Sequence, residues 1–598
     1  MSSLPDPHQR SSLPALIPVS RGPVVSAPAP VVHAAPRRRS GAPDGGPPPT
    51  PPLAVVPLLL LAGLVVGLHA VVNRLSVFGL HRDELLYLAM GRHLDLWSMD
   101  FPPWIALLAE ATRAVLGSTD VMLRMGPAAA HAALMVMAAV LARYLRGNTG
   151  AQLLAALAVA TSPLFLRAGH LFQPVVFDQL WWTLALLALV KIGHAALYTP
   201  PVAEVMDASW TTASGHRRRL SWDARAGAGL AHAAASPWML LGIAGGLGLL
   251  TKFSILFLGA ATAVALLVGP LRRTLRSTRP WLVVGVTLLL GAPSLVGQMQ
   301  LGWPVAGQLR QLRQTQLVHV GVLEFLGGQL MVGPAIALAA AGVYALFTTR
   351  WARPARTAAL AAVGAFLLLL AMRGKPYYAG PIYPLLFAAG AVFLEQGPSR
   401  DRGFRAGAVL RLRAAAALLL AFAGVTLPVA LPMLSPAATA RWVDALGLGM
   451  ATRTNTGASL ALPQDFADML GWPELARAVG DAYAKLPPAQ QADVTIVAAN
   501  YGQAGALEFY APRVGIPGAV SPAGSFWFWG PGERVGDPLL TVGVPASELT
   551  GCARLLPRGR VTHPDTRWQV PEEQHVPLYL GEGPSPTLQE RWPSLRSD

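Results

Sequence analysis

The sequence predicts a polytopic α-helical membrane protein of about eleven spans that ends in a small extracytoplasmic α/β domain. Three observations lead there. Of 598 residues, 53% are hydrophobic and only 13% charged, whereas an ordinary soluble domain carries about a quarter charged residues. The mean hydropathy of +0.44 agrees. Apolar runs recur between residues 53 and 434, and a hydrocarbon core of about 30 Å takes roughly twenty helical residues. Basic residues gather in short clusters between those runs, as cytoplasmic loops of membrane proteins do.

That placement also weighs against nucleic acid as a partner. A net charge of +16 and a pI of 10.6 would suit it only if the basic residues shared one soluble face. Cys552 is the single cysteine, so neither an intrachain disulfide nor a thiolate metal site is available.

Residues 1–50 are rich in Pro, Ala, Ser and Arg and lack the apolar core of a signal peptide, so a disordered cytoplasmic segment is expected. Arg37, Arg38 and Arg39 stand before the first apolar run and hold that end inside. A transmembrane domain follows over 53–434, with runs at 53–72, 121–142, 151–166, 174–190, 237–270, 281–296, 322–348, 358–371, 381–394 and 414–434. The run 237–270 has His216 to Arg219 before it and Arg272, Arg273, Arg276 and Arg279 after it. Keeping both clusters cytoplasmic requires an even number of crossings, hence two short spans. Three pieces then face outward: 78–120, 297–321 and a C-terminal domain over 435–598. In the first, Leu85, Leu88 and Ala89, then Trp104, Leu107, Leu108, Ala111 and Val115, fall at helical spacing, as in helices lying in the interface or packed on neighbouring spans. In the last, an apolar strand over 494–498 precedes Asn500-Tyr501-Gly502 and a helical run through Tyr510, which gives the small α/β domain.

Candidate chemistry lies on the outer side. Asp83-Glu84 follows the first span in the string His81-Arg82-Asp83-Glu84-Leu85-Leu86-Tyr87, where a carboxylate stays ionised at the water boundary; an acidic pair also simply suits a helix start. Asp178 falls near the outer end of the fourth span and Lys252 at the bend between the two short ones, and ionisable residues in spans are functional candidates. The chain has four lysines, Lys191, Lys252, Lys375 and Lys485, against predominant Arg. Two of them, Lys252 and Lys375, fall at outer boundaries, either as snorkelling anchors or as compact ammonium groups suited to phosphate.

Taken in order, Asp83-Glu84, Asp100-Phe101-Pro102-Pro103, Phe177-Asp178, Leu250-Thr251-Lys252 and Gly374-Lys375-Pro376-Tyr377-Tyr378 resemble the bacterial protein O-mannosyltransferase and aminoarabinose transferase family, glycosyltransferase family 39. Asn500-Tyr501-Gly502-Gln503-Ala504 and Trp529-Gly530-Pro531 are similar to the outer domain of bacterial members. The resemblance implies a GT-C-type membrane glycosyltransferase that takes a sugar from a polyprenyl-phosphate donor and inverts its anomeric centre. It further implies that Asp83 is the catalytic carboxylate, with Glu84 beside it in the pair, that Lys252, Lys375 and Tyr378 bind the donor phosphate, and that Asp178, Arg82 and Asp100 support them. Phe101 stands where bacterial relatives commonly have His, and Leu86 where aminoarabinose transferases have a basic residue, so the sugar and the acceptor (protein, lipid or polysaccharide) stay open. The expected location is a bacterial plasma membrane, N-terminus inside and C-terminal domain outside. No cofactor or metal is expected, because neither the dispersed histidines nor Asp83-Glu84 offers converging ligands. A lipid or solute transporter is the competing reading, since charges in spans also mark transport paths, although no internal repeat is visible. A scaffold would leave Asp83, Lys252 and Lys375 unexplained.

Overall fold

The computed structural model describes residues 50–117, 119–198, 236–399, 402–454, 457–564 and 566–596. Nearly all of the N-terminal segment, with Arg37 to Arg39, and the basic stretch His216 to Arg219 lie outside them. From Pro49 onward the chain forms one unit.

Among the described residues, seven helices are long and apolar enough to cross a membrane: Val55–Leu75, Val121–Tyr144, Pro174–Leu197, Arg279–Gln300, Arg353–Ala371, Pro376–Gln396 and Ala408–Ala430. Two bent pairs raise the number to nine, Thr149–Thr161 with Pro163–His170 and Val322–Val332 with Ala335–Thr348, bent by 62° and 105°. Each bend has a local cause. Pro163 opens the second half of the first pair, where a ring without an N–H is tolerated only in a first turn. Gly333, at φ +62° ahead of Pro334, turns the second. The chain is thus a multi-pass α-helical membrane protein with seven to nine candidate spans among the described residues.

The expected break in the run 237–270 is present: Pro237–Thr251 and Ile255–Val268 are separate helices of 15 and 14 residues. Ser236 caps the first through its side chain. At its end Lys252 turns to an extended φ of −166°, its N–H still bonded to the Gly248 carbonyl at 2.7 Å.

Burial sorts the helices into layers. In Pro376–Gln396, 78% of the span is enclosed, against 22% in Val55–Leu75 and 11% in Ala408–Ala430. The last two present leucines and valines outward, as a lipid-facing surface requires. Two glycines set one tight crossing: a Cβ on Gly342 would sit 2.0 Å from the Leu386 carbonyl oxygen, and one on Gly390 2.0 Å from that of Leu338. Small residues let the backbones meet this closely.

Beyond the spans, β1 (Thr495–Ala498), β2 (Leu539–Val542), β3 (Cys552–Val561) and β4 (Val576–Pro584) form a sheet of order β1-β2-β4-β3. β1 and β2 run parallel with Thr495 opposite Leu539; the other pairs are antiparallel, and a register shift lies between Pro557 and Gly559. Every residue of β1 and β2 is buried. Helix Tyr501–Val514 follows β1.

This tail shares one core with the first outer loop. Leu85, Met90 and Ile105 pack in the same cluster as Trp472, Leu507 and Leu540. A Cβ on Gly505 would come within 2.9 Å of the Leu85 backbone, so helix Tyr501–Val514 lies directly on helix Arg82–Arg92. In helix Trp104–Leu116 the buried residues are Ile105, Ala106, Ala109 and Thr112, whereas Ala111 and Val115 are exposed. The expected stripe is therefore split: Trp104 and Leu108 pack against the shared core, and only Ala111 and Val115 are exposed.

Candidate active site

Helix Arg82–Arg92 begins at His81, whose Nδ1 accepts the Asp83 N–H at 3.0 Å while Glu84 Oε2 accepts the His81 N–H at 2.7 Å. This reciprocal cap fixes the turn bearing both carboxylates, and their environments then diverge.

Glu84 is fully buried. Its Oε1 accepts from Arg124 Nε at 2.8 Å and the Phe172 N–H at 2.7 Å, and its Oε2 from Arg124 Nη2 at 2.6 Å besides the His81 N–H. Those four bonds occupy what a carboxylate can accept. Burial alone would raise its pKa, but the Arg124 guanidinium and the hydrogen bonds prevail and hold it below the usual range.

Asp83 keeps 30% of its side chain exposed. Tyr501 donates its hydroxyl to Oδ1 at 3.0 Å and Gln173 Nε2 donates to Oδ2 at 3.2 Å. Both donors are neutral, so the carboxylate is oriented without being neutralised. Arg82 turns to the tail, its Nη1 lying 3.6 Å from Asp468 and 3.5 Å from Glu572, and its guanidinium 4.8 Å over the Tyr501 ring. His81 Nε2 lies 3.7 Å from Asp468 and 3.9 Å from Asp465, which also pairs with Arg167. Burial pushes Asp468 up to about 6 against the pull of His81 and Arg82, whereas Arg167 and His81 overcome burial at Asp465 and hold it low.

A second group gathers at the break after Pro237–Thr251. Lys252 Nζ lies 4.2 Å over the Tyr378 ring and 5.5 Å from that of Tyr377. Asp178, in the first turns of Pro174–Tyr198, accepts from the Ser254 hydroxyl at 2.8 Å and interacts electrostatically with Lys252. Lys375 joins the two groups: its ammonium interacts with Tyr378 and Lys252 on one side and with Asp83 and Asp465 on the other, and burial lowers its pKa.

The sequence-expected residues therefore separate. Asp83, Lys375, Tyr378, Lys252 and Asp178 form a connected group, with Arg82 beside it. Asp100 stands apart as a bracket: Oδ2 accepts from the Ser525 hydroxyl at 3.0 Å and its carbonyl accepts from Gln298 at 2.6 Å. Sequence reasoning overlooked Arg124, Gln173, Asp465, Asp468 and any role for Tyr501. Arg124 had a usable signal, a lone guanidinium near the start of a span; the others had none, because their partners lie far along the chain. Among the described residues, no group of three or more His, Cys, Asp or Glu is arranged to hold a metal ion.

A model of the family described as dolichyl-phosphate-mannose-protein mannosyltransferase matches residues 228–296, the stretch that includes Lys252. No curated protein matches the chain. Among solved structures, ArnT from Cupriavidus metallidurans bound to undecaprenyl phosphate is similar at 17% identity and TM-score 0.52, over 88% of this chain and 97% of that one. The apo state of the same ArnT is similar at 16% identity and TM-score 0.50 over the same shares. The chain thus has the fold of ArnT, a polytopic helical bundle capped by a small β-sheet-containing domain.

Proposed function

We propose that this chain is a glycosyltransferase that moves a sugar from a polyprenyl-phosphate-linked donor to an acceptor hydroxyl at the outer face of a bacterial plasma membrane, with inversion. The observation that carries this reading is the continuous group from Asp83 through Lys375 to Lys252 and Tyr378. A partly exposed carboxylate interacts electrostatically with one lysine, and that lysine in turn with the lysine at the helix break. Such a pairing suits displacement of a phosphate, which needs a base at the nucleophile and cations at the leaving group.

In the proposed step the acceptor oxygen forms a bond to the anomeric carbon and its proton passes to Asp83. The bond from that carbon to the phosphate oxygen breaks, and its electron pair leaves with the polyprenyl phosphate. Lys252 and Lys375 balance the charge on the departing phosphate, and Tyr378 donates a hydrogen bond to it. Asp178 holds the Lys252 loop through Ser254, and Arg82 and Asp100 tie the first outer loop to the tail. Glu84, with its accepting positions filled, braces the helix that presents Asp83.

The topology belongs to the same reading. Counting the bent pairs and the two short helices as spans gives eleven crossings, with the N-terminus inside, the bundle over 53–434, and the domain over 435–598 outside. The basic clusters support that orientation. ArnT was crystallised with undecaprenyl phosphate, which supports a donor of that class; the acceptor is a protein, lipid or polysaccharide hydroxyl.

The test is a mass spectrum of lipid and glycan extracts from cells with and without the gene, paired with transfer of labelled sugar in proteoliposomes. Loss of the gene should accumulate one polyprenyl-phosphate sugar and remove one glycan. Unchanged lipid-linked sugars alongside altered movement of a lipid or solute would favour transport.

A further inference from the structure

Tyr501 belongs to the tail, yet its side chain ends in the site. Asn500 caps its helix by accepting the Gln503 N–H at 3.0 Å, and the Asn500 and Gln503 amides donate to the two oxygens of Glu573 at 2.9 and 3.0 Å. The next residue is Gly502, where a Cβ would lie 3.1 Å from Trp472 and 3.2 Å from Arg82. A first turn so tightly held places the phenol under the Arg82 guanidinium and delivers its hydroxyl to Asp83 Oδ1.

We propose that Tyr501 is a positioning residue for sugar transfer, through which the tail domain orients the Asp83 carboxylate and keeps it ready to take the acceptor proton. This rests on Asp83 being the base. A carboxylate has about four accepting positions. Tyr501 fills one on Oδ1 and Gln173 one on Oδ2, which leaves each oxygen one lone pair for the acceptor. Rotation about the terminal bond of an Asp side chain is otherwise broad, so the two donors define the plane in which the proton is accepted. Burial and the neighbouring Asp83 charge raise the Tyr501 pKa well above that of an ordinary phenol, so the hydroxyl stays a donor. The other titratable groups that face Asp83 are His81, Arg82 and Tyr87 from its own segment, Lys375 from the loop before Tyr377, and Asp468 from the tail. All of them remain when only the phenol oxygen is removed.

The experiment uses the full chain in proteoliposomes, with mannose, glucose and arabinose each labelled and linked to undecaprenyl phosphate as donor probes and a cell-envelope fraction as acceptor. Binding of undecaprenyl phosphate and thermal unfolding are followed separately. Tyr501→Phe should melt and bind undecaprenyl phosphate like the unaltered protein and keep its KM for donor. Its kcat should fall by about ten- to a hundredfold, the size of one lost charge-assisted hydrogen bond. An unchanged kcat overturns the inference, as does a loss of kcat accompanied by a raised KM, weaker binding of undecaprenyl phosphate or a lower melting temperature, which would mark a structural role. Asp83→Asn separates the two layers. If that variant turns over normally, the base assignment itself fails; if it is inactive while Tyr501→Phe behaves like the unaltered protein, only the role of Tyr501 fails.

Discussion

Asp83 and Glu84 are neighbours with opposite fates, and the difference comes from residues distant in sequence. Arg124, the His81 N–H and the Phe172 N–H saturate Glu84, while Asp83 is hydrogen-bonded only by the neutral side chains of Tyr501 and Gln173 and stays partly exposed. The pair itself was legible in the sequence; which member is free was not, because that depends on a span some forty residues away and on the segment before Pro174. Glu84→Gln should therefore act on the fold more than on the chemistry. It leaves a buried guanidinium short of its counter-charge, a change of the kind that costs about 3–5 kcal/mol, so purified protein should show a large drop in Tm and yield. Near-normal stability with lost turnover would instead make Glu84 catalytic. The two site lysines make the converse case. Lys252→Ala and Lys375→Ala should raise the KM for donor about tenfold or more, as expected for a lost charge-assisted contact to phosphate, with Tm little changed. Donor kinetics like those of the unaltered protein in both would reduce them to membrane anchors.

Elements were legible where the chain announces its own interruptions. The charge pattern required the run around Lys252 to break, as it does, whereas the bends at Pro163 and at Gly333-Pro334 fall inside the runs 151–166 and 322–348, which were read as unbroken. The helix Trp104–Leu116 was readable from periodicity, although its stripe divides between the core, at Trp104 and Leu108, and the surface, at Ala111 and Val115. Its buried side, built on Ala106 and Ala109, was not, because alanine carries little pattern. Helix contacts were equally hidden: nothing local says that Gly342 and Gly390 sit against the backbones of Leu386 and Leu338. Gly390→Val should force those helices apart and destabilise by at least about 1–3 kcal/mol, the usual cost of overpacking. Thermal unfolding in detergent checks this, with Gly424→Val, where a Cβ meets no atom within 4 Å, as the tolerant control.

In the whole molecule, the tail and the first outer loop form one body around the site, which explains why they carry so many of its residues. One strand of the sheet was readable, β1, because it is short, apolar and followed by a capped helix. β3 mixes exposed Arg with Pro557, and its pairing with β4 depends on long-range register that no local pattern encodes. Orientation is a property of the same scale. A reporter fused after Leu434 should be active only outside the cytoplasm and one fused at Arg218 only inside, following the basic clusters; reversed signals would move the site to the wrong face for this account. The most direct test of that account is transfer of labelled sugar from a polyprenyl-phosphate donor by Asp83→Asn in liposomes, with donor binding measured alongside. The amide keeps the shape of the side chain and loses the base, so the variant should insert, bind donor lipid and transfer no sugar. Turnover close to that of the unaltered protein would contradict the mechanism.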